Sequence, residues 1–142
     1  MKIPFLRLDP ELSEPSIAHE GDAGIDLRSR IDVTLEAGEW AMVPTGVAVA
    51  IPAGHTGLVA PRSGLAARHG ISVVNGPGVV DSGYRGEIHV ILINHGDETV
   101  SLGRDERIAQ LVVVPVAHAE LEAVTELPTS ERGSGGFGST GT

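Results

Sequence analysis

Arg132-Gly133-Ser134-Gly135-Gly136-Phe137-Gly138-Ser139-Thr140-Gly141, close to the end of the chain, joins one guanidinium, three hydroxyls and one aromatic ring to a glycine-rich backbone. Glycine lets backbone N–H groups close on an anion, and arginine pairs with phosphate bidentately. Phe137 adds a flat apolar face on which a nucleobase could stack. A Gly/Ser tail can equally be a plain flexible linker. Arg132 and Phe137 tip the balance, because an inert linker has little use for either. The tail is expected to order as a lid over a nucleotide.

Further candidates lie upstream. Pro61-Arg62-Ser63-Gly64-Leu65 places a cation and a hydroxyl at the start of a short helical stretch, Gly64 to His69, with Ser63 as N-cap and Gly70 at the C′ position. Helix N-termini attract anions, so this is either a phosphate site or an ordinary cap beside a solvated arginine. Val73-Val74-Asn75-Gly76-Pro77-Gly78-Val79-Val80 reads as a hairpin. Its inner edge could present alternating backbone donors and acceptors to a pyrimidine. Asp81-Ser82-Gly83-Tyr84-Arg85-Gly86 follows at once. Asp81 is a turn former or a general base, and the ring of Tyr84 could pack beneath a sugar and exclude a 2′-hydroxyl. Asp26 and Gln110 interrupt apolar runs; each points to solvent by alternation or reaches into a site.

These groups must be held by the rest of the chain. Its 142 residues suffice for one domain with a substantial core. Hydrophobic residues make up 41% but aromatics only 3%, so the core must be aliphatic. Short β-branched segments bounded by Gly, Pro, Asp or Asn recur at Val47 to Ile51, Gly57 to Ala60, Glu87 to Ile93 and Ile108 to Val116. That pattern predicts an antiparallel all-β sandwich or barrel with one short helix. The 88–93 and 111–114 runs are apolar on both faces, and one of them is expected to be covered by another subunit. From Pro128 the apolar pattern stops, which places a core at 1–127 and a flexible tail at 128–142.

Charge narrows the function. A net charge of −9 argues against a nucleic acid polymer but leaves room for a mononucleotide. Cysteine is absent, which excludes disulfides and thiolate metal sites, and the six histidines form no close pair. No apolar run reaches the length of a membrane span and no signal peptide is recognisable, so a cytoplasmic protein is expected.

In series the segments resemble the five motifs of the homotrimeric dUTPases. The matching runs are Ala23-Gly24-Ile25-Asp26-Leu27, Pro61 to Ala66, Asn75 to Gly86, Arg107 to Leu111 and Arg132 to Gly141. The resemblance covers 23–141. It implies a distorted jelly-roll-like β-barrel that forms homotrimers with shared active sites. It also implies hydrolysis of dUTP to dUMP and pyrophosphate with Mg²⁺, which keeps uracil out of DNA and supplies dUMP for thymidylate synthesis. By the same resemblance Asp81 activates the attacking water and Tyr84 rejects ribose. Asn75 and the backbone of Gly78, Val79 and Val80 read uracil, with a further backbone contact at His89. Arg62, Ser63, Gly64 and Gln110 take the phosphates. Asp26 would reach the metal through water or hold the site's architecture. Arg132 clamps the γ-phosphate, Phe137 stacks on uracil, and Ser134, Gly135, Gly136, Gly138 and Ser139 cover the phosphates.

Two rivals remain. A dCTP deaminase has the same fold but uses a catalytic Glu and lacks this lid; Glu87 is the only such carboxylate near the hairpin. A nucleotide sensor without catalysis would be marked by a lost Asp or a lost tail, and neither is missing. The tail carries no Gly-Lys-Ser/Thr sequel, which argues against a P-loop ATPase.

Overall fold

The computed structural model of the chain describes residues 1–135. Their regular structure consists of short antiparallel strands and one helix, arranged as a distorted jelly-roll-like β-barrel. In chain order the strands are β1 (Phe5–Arg7), β2 (Gly24–Arg28), β3 (Val33–Leu35), β4 (Trp40–Pro44), β5 (Val47–Val49) and β6 (His55–Ala60). Helix α1 (Ser63–His69) precedes β7 (Ile71–Val73), β8 (Gly78–Val80), β9 (His89–Asn94), β10 (Val100–Leu102) and β11 (Arg107–Pro115). One sheet has the order β2-β11-β6-β8 and a second β4-β9-β7, both contributing to one core, and β1-β5 and β3-β10 form two-stranded pairs.

Alternation dictates which side chains point inward. In β9, Val90, Leu92 and Asn94 are buried while Ile91 and Ile93 are only half-buried. The core is aliphatic, as composition requires: Leu27, Leu35, Val43, Ile51, Ile71, Val90, Leu92, Ile108 and Leu111 are its most deeply buried members. Phe5, Trp40 and Tyr84 all lie exposed on its outside. Asn94 is one of several buried polar residues and is fully satisfied, its amide donating to Leu35 O and Glu98 O while its carbonyl accepts from Gly96 N–H.

Several expectations from sequence need correction. Asn75 to Gly78 does not close a hairpin: β7 pairs with β9, and β8 pairs with β6, so the loop crosses from one sheet to the other. Pro77 brings no N–H to a ladder, and each short strand finds a longer partner elsewhere. Ser63 does not cap the helix. The helix begins at Ser63, Arg62 takes the cap position in an extended conformation, and no side chain caps the helix. Gly70 does end it, in the left-handed conformation expected of that position (φ 68°). Strand β9 starts two residues later than expected because Ile88 pairs elsewhere, donating to Val47 O and accepting from Thr45 N–H. After Pro115 the described chain has neither strand nor helix and is largely exposed.

Candidate functional site

Asp26, Arg62, Ser63, Gly64 and Gln110, all singled out in the sequence, converge in a cavity of about 360 Å³ that Arg107 also lines, with Asp22 and Gly24 beside them. Gln110 stands opposite both Asp26 on β2 and Ala60 on β6, so β11 carries it between the two strands that contribute to the site. Alternation puts Leu27 into the core and Asp26 on the other face, towards the cavity. Gly24 clears the space that Gln110 occupies, because a Cβ there would collide with the Gln110 amide oxygen.

Asp26 is buried and its carboxylate is fully engaged. Arg62 Nε lies 3.1 Å from Oδ1, and Arg107 Nη1 donates to Oδ2 at 3.2 Å. Arg62 Nη1 also donates to Arg107 O (3.0 Å), and Gln110 Nε2 to Pro61 O (2.9 Å). Two guanidiniums therefore share one carboxylate, and the triad keeps one surplus positive charge. Such an arrangement holds two rigid forks beside a pocket in which a polyanion could lie. No group of three His, Cys, Asp or Glu able to hold a metal occurs among the described residues.

Arg107 is the residue that sequence reasoning left out of the site. It is three positions from Gln110, and a regular strand would put the two on opposite faces. A register shift between Arg107 and Ala109 brings Arg107 opposite Arg28, and so onto the face of Asp26. Nothing in the alternation pattern announces that bulge.

A second cavity, of about 280 Å³, is lined by Met42, Val79, Val80, Asp81, Tyr84, Glu87, Ile88 and His89. Asp81 leaves the end of β8, whose last carbonyl, Val80 O, accepts from Thr56 Oγ1 (2.9 Å). Tyr84 N–H turns back to Asp81 O (3.0 Å). Tyr84 Oη donates to Glu87 O at 2.9 Å, and His89 Nδ1 lies 3.1 Å from the same carbonyl. Gly86 makes room for the ring: a Cβ there would lie 2.5 Å from Tyr84 Oη. Arg85 Nη1 braces the turn by donating to Ser82 O and Tyr84 O, each at 2.7 Å.

Asn75 and Gly78 lie outside both cavities, at the start of β8. Glycine at 78 lets the Asn75 amide nitrogen approach within 3.2 Å of the position a Cβ would take. Among the described residues β8 is an edge strand, so one side of the Gly78–Val80 backbone has no strand partner there. The two cavities share no lining residue. Arg132, Ser134 and Gly135 border neither: Arg132 Nε donates to Gly135 O (2.9 Å) in an exposed turn. Gly136, Phe137, Gly138 and Ser139 lie outside the described residues.

Known proteins resemble this chain in architecture and in sequence. A dUTPase family model matches residues 11–141. The chain is 58% identical to the deoxyuridine 5'-triphosphate nucleotidohydrolase of Mycolicibacterium gilvum (strain PYR-GCK), across 96% of this chain and 92% of that one. It is 57% identical to the protein of the same name from Anaeromyxobacter sp. (strain Fw109-5), across 93% and 90%. The dUTPase of Staphylococcus bacteriophage 80alpha, solved with dUPNHPP, superposes with a TM-score of 0.91 at 32% identity and covers 99% of each chain. A mutant dUTPase from phage phi11 of S. aureus, solved with a structural Mg(II) ion, gives 0.82 at 27% identity over 91% of this chain and 100% of its own. The match runs over nearly the whole sequence, and residues of four of the five motif runs line the two cavities: the chain belongs to the dUTPase family and is an enzyme of that family.

Proposed function

We propose that this chain hydrolyses dUTP to dUMP and pyrophosphate. Asp81 accepts a proton from a water whose oxygen attacks the α-phosphorus; the bond from that phosphorus to the bridging oxygen breaks, and pyrophosphate leaves. Bound Mg²⁺ would supply neutralisation of phosphate charge. The protein's own part is positioning and electrostatics, which suffice for phosphoryl transfer. Arg62, Ser63, Gly64, Gln110 and Arg107 take the phosphates, with Asp26 holding the two arginines. Tyr84 packs on the deoxyribose, where a 2′-hydroxyl would meet its ring. Asn75 and the open edge of β8 read uracil. The segment 128–142 closes over the bound nucleotide, with Arg132 on the γ-phosphate and Phe137 on the base.

One observation carries this reading furthest. Asp81 and Tyr84 line one cavity, the arginine pair lines another, and the two have no residue in common. A nucleotide needing both is accommodated if neighbouring copies each contribute one half, which supports sites shared between copies; the homotrimer is the assembly that membership of the dUTPase family suggests. The outer face of β4 and β9 supplies a surface for such contacts, since exposed Trp40 and Met42 stand beside half-buried Ile93 and Ile91. No helix among the described residues is long and apolar enough to cross a membrane. We place the reaction in the bacterial cytoplasm, where it would keep uracil out of DNA and supply dUMP.

Asp81→Asn tests the assignment. Turnover of dUTP should fall by about three orders of magnitude, the scale of general base catalysis, while a nonhydrolysable dUTP analogue binds as before. Lost binding would make Asp81 a structural residue instead.

A further inference from the structure

Glu87 lines the same cavity as Asp81, yet no part of the proposed reaction uses it. Its side chain is only 16% exposed, so its charge needs partners. Both oxygens have one: Oε1 accepts from Gly46 N–H at 2.7 Å, and Oε2 from Arg30 Nη1 at 3.3 Å. Arg30 Nε in turn donates to Asp9 Oδ2 (3.3 Å), and Arg104 Nη1 to the same oxygen (2.8 Å). Arg104, Asp9, Arg30 and Glu87 thus form a train of alternating charges from the loop between β10 and β11, through the N-terminal segment, to the cavity. On the main chain, Glu87 O is the acceptor towards which both Tyr84 Oη and His89 Nδ1 are directed. The next carbonyl, Ile88 O, accepts from Thr45 Oγ1 (2.7 Å).

We propose that Glu87 is a positioning residue for sugar selection: its clamped carboxylate fixes the carbonyl from which the Tyr84 ring is oriented. The inference rests on the dUTP reading above. A carboxylate held at both oxygens leaves its own backbone little freedom, and a site limited by ring placement is sensitive to shifts of about 1 Å. Glutamine at this position keeps one acceptor oxygen, enough for Gly46 N–H but with an NH2 donor turned towards Arg30. Alanine keeps neither.

Steady-state kinetics on dUTP and UTP with wild type, Glu87→Ala, Glu87→Gln and Arg30→Gln test this. For Glu87→Ala the expected result is a KM for dUTP raised about tenfold with a much smaller change in kcat, the scale of a lost charged hydrogen bond. The UTP-to-dUTP ratio of kcat/KM should rise by a similar factor, and Glu87→Gln, which keeps the bond from Gly46 N–H, should recover part of both. A folded Glu87→Ala enzyme with the wild-type ratio would overturn the proposal, as would equal losses on both substrates. Should Glu87→Ala fail to fold, Arg30→Gln decides: a raised ratio supports the proposal and an unchanged one overturns it. Wild type inactive on dUTP would instead sink the reading beneath.

Discussion

Gly86→Ala isolates the placement of the Tyr84 ring. Gly86 has no positive φ to protect, so alanine is compatible with its backbone and the effect comes from the added methyl alone. That methyl would lie 2.5 Å from Tyr84 Oη and 2.7 Å from Cζ. Ordinary contact needs about 3.4 Å, so the ring must retreat by about 0.9 Å. The retreat breaks the bond from Tyr84 Oη to Glu87 O, which contributes about 1 kcal/mol to stability. In a chain of this size that lowers the melting temperature by about 4 °C. The functional loss should be larger, because a displacement near 1 Å costs about a hundredfold where geometry limits catalysis. Calorimetry together with kcat/KM for dUTP and UTP separates the two effects: a small thermal shift, a large loss on dUTP, and a raised UTP-to-dUTP ratio. In a Tyr84→Ala background the same substitution should add little, since the two residues act through one contact. Unchanged dUTP kinetics in Gly86→Ala, or full additivity in the double variant, would refute the reasoning.

Two further substitutions probe the charged framework. Asp26→Asn removes the shared carboxylate between Arg62 and Arg107, and affinity for a nonhydrolysable dUTP analogue should fall about tenfold because two guanidiniums lose their orientation. Tighter binding by calorimetry would mean that net charge, not placement, limits phosphate capture. Asp9 supplies the pH dependence: the hydrogen bond from Arg104 lowers its pKa from 3.8 to about 2, against an opposing effect of burial. A depressed carboxylate stabilises fully above its unfolded pKa and loses that contribution as pH falls through the folded value. The melting-temperature gap between wild type and Asp9→Asn should therefore be full at about pH 6 and close between about pH 4 and pH 2. A gap that stays constant to the lower limit contradicts the assignment.

The segments that alternate cleanly were legible from sequence, and those governed by irregular pairing were not. Aliphatic strands such as β6 and β9 follow from short β-branched runs bounded by turn residues, and Gly70 ends α1 where its conformational freedom is needed. Asn-Gly-Pro-Gly misled because turn chemistry is local, whereas the choice of partner for β7 and β8 is made by longer strands far along the chain. Arg107 was missed because one bulged residue reverses its face. Glu87 looked like a strand residue because the Gly46 amide and Arg30 that hold it lie about forty and sixty positions upstream. Asp26 and Gln110 drew notice as polar interruptions, and the structure puts both in one cavity. Their joint role required the register of β2 against β11, which no local pattern encodes.

Pyrophosphate release measured side by side on dUTP, dCTP, dTTP and UTP with Mg²⁺ tests the central claim most directly. The account predicts rapid release from dUTP and, because Tyr84 crowds the sugar and the β8 edge reads the base, release at least a hundredfold slower from the other three. Comparable release from UTP or dCTP, or ammonia from dCTP, would contradict it.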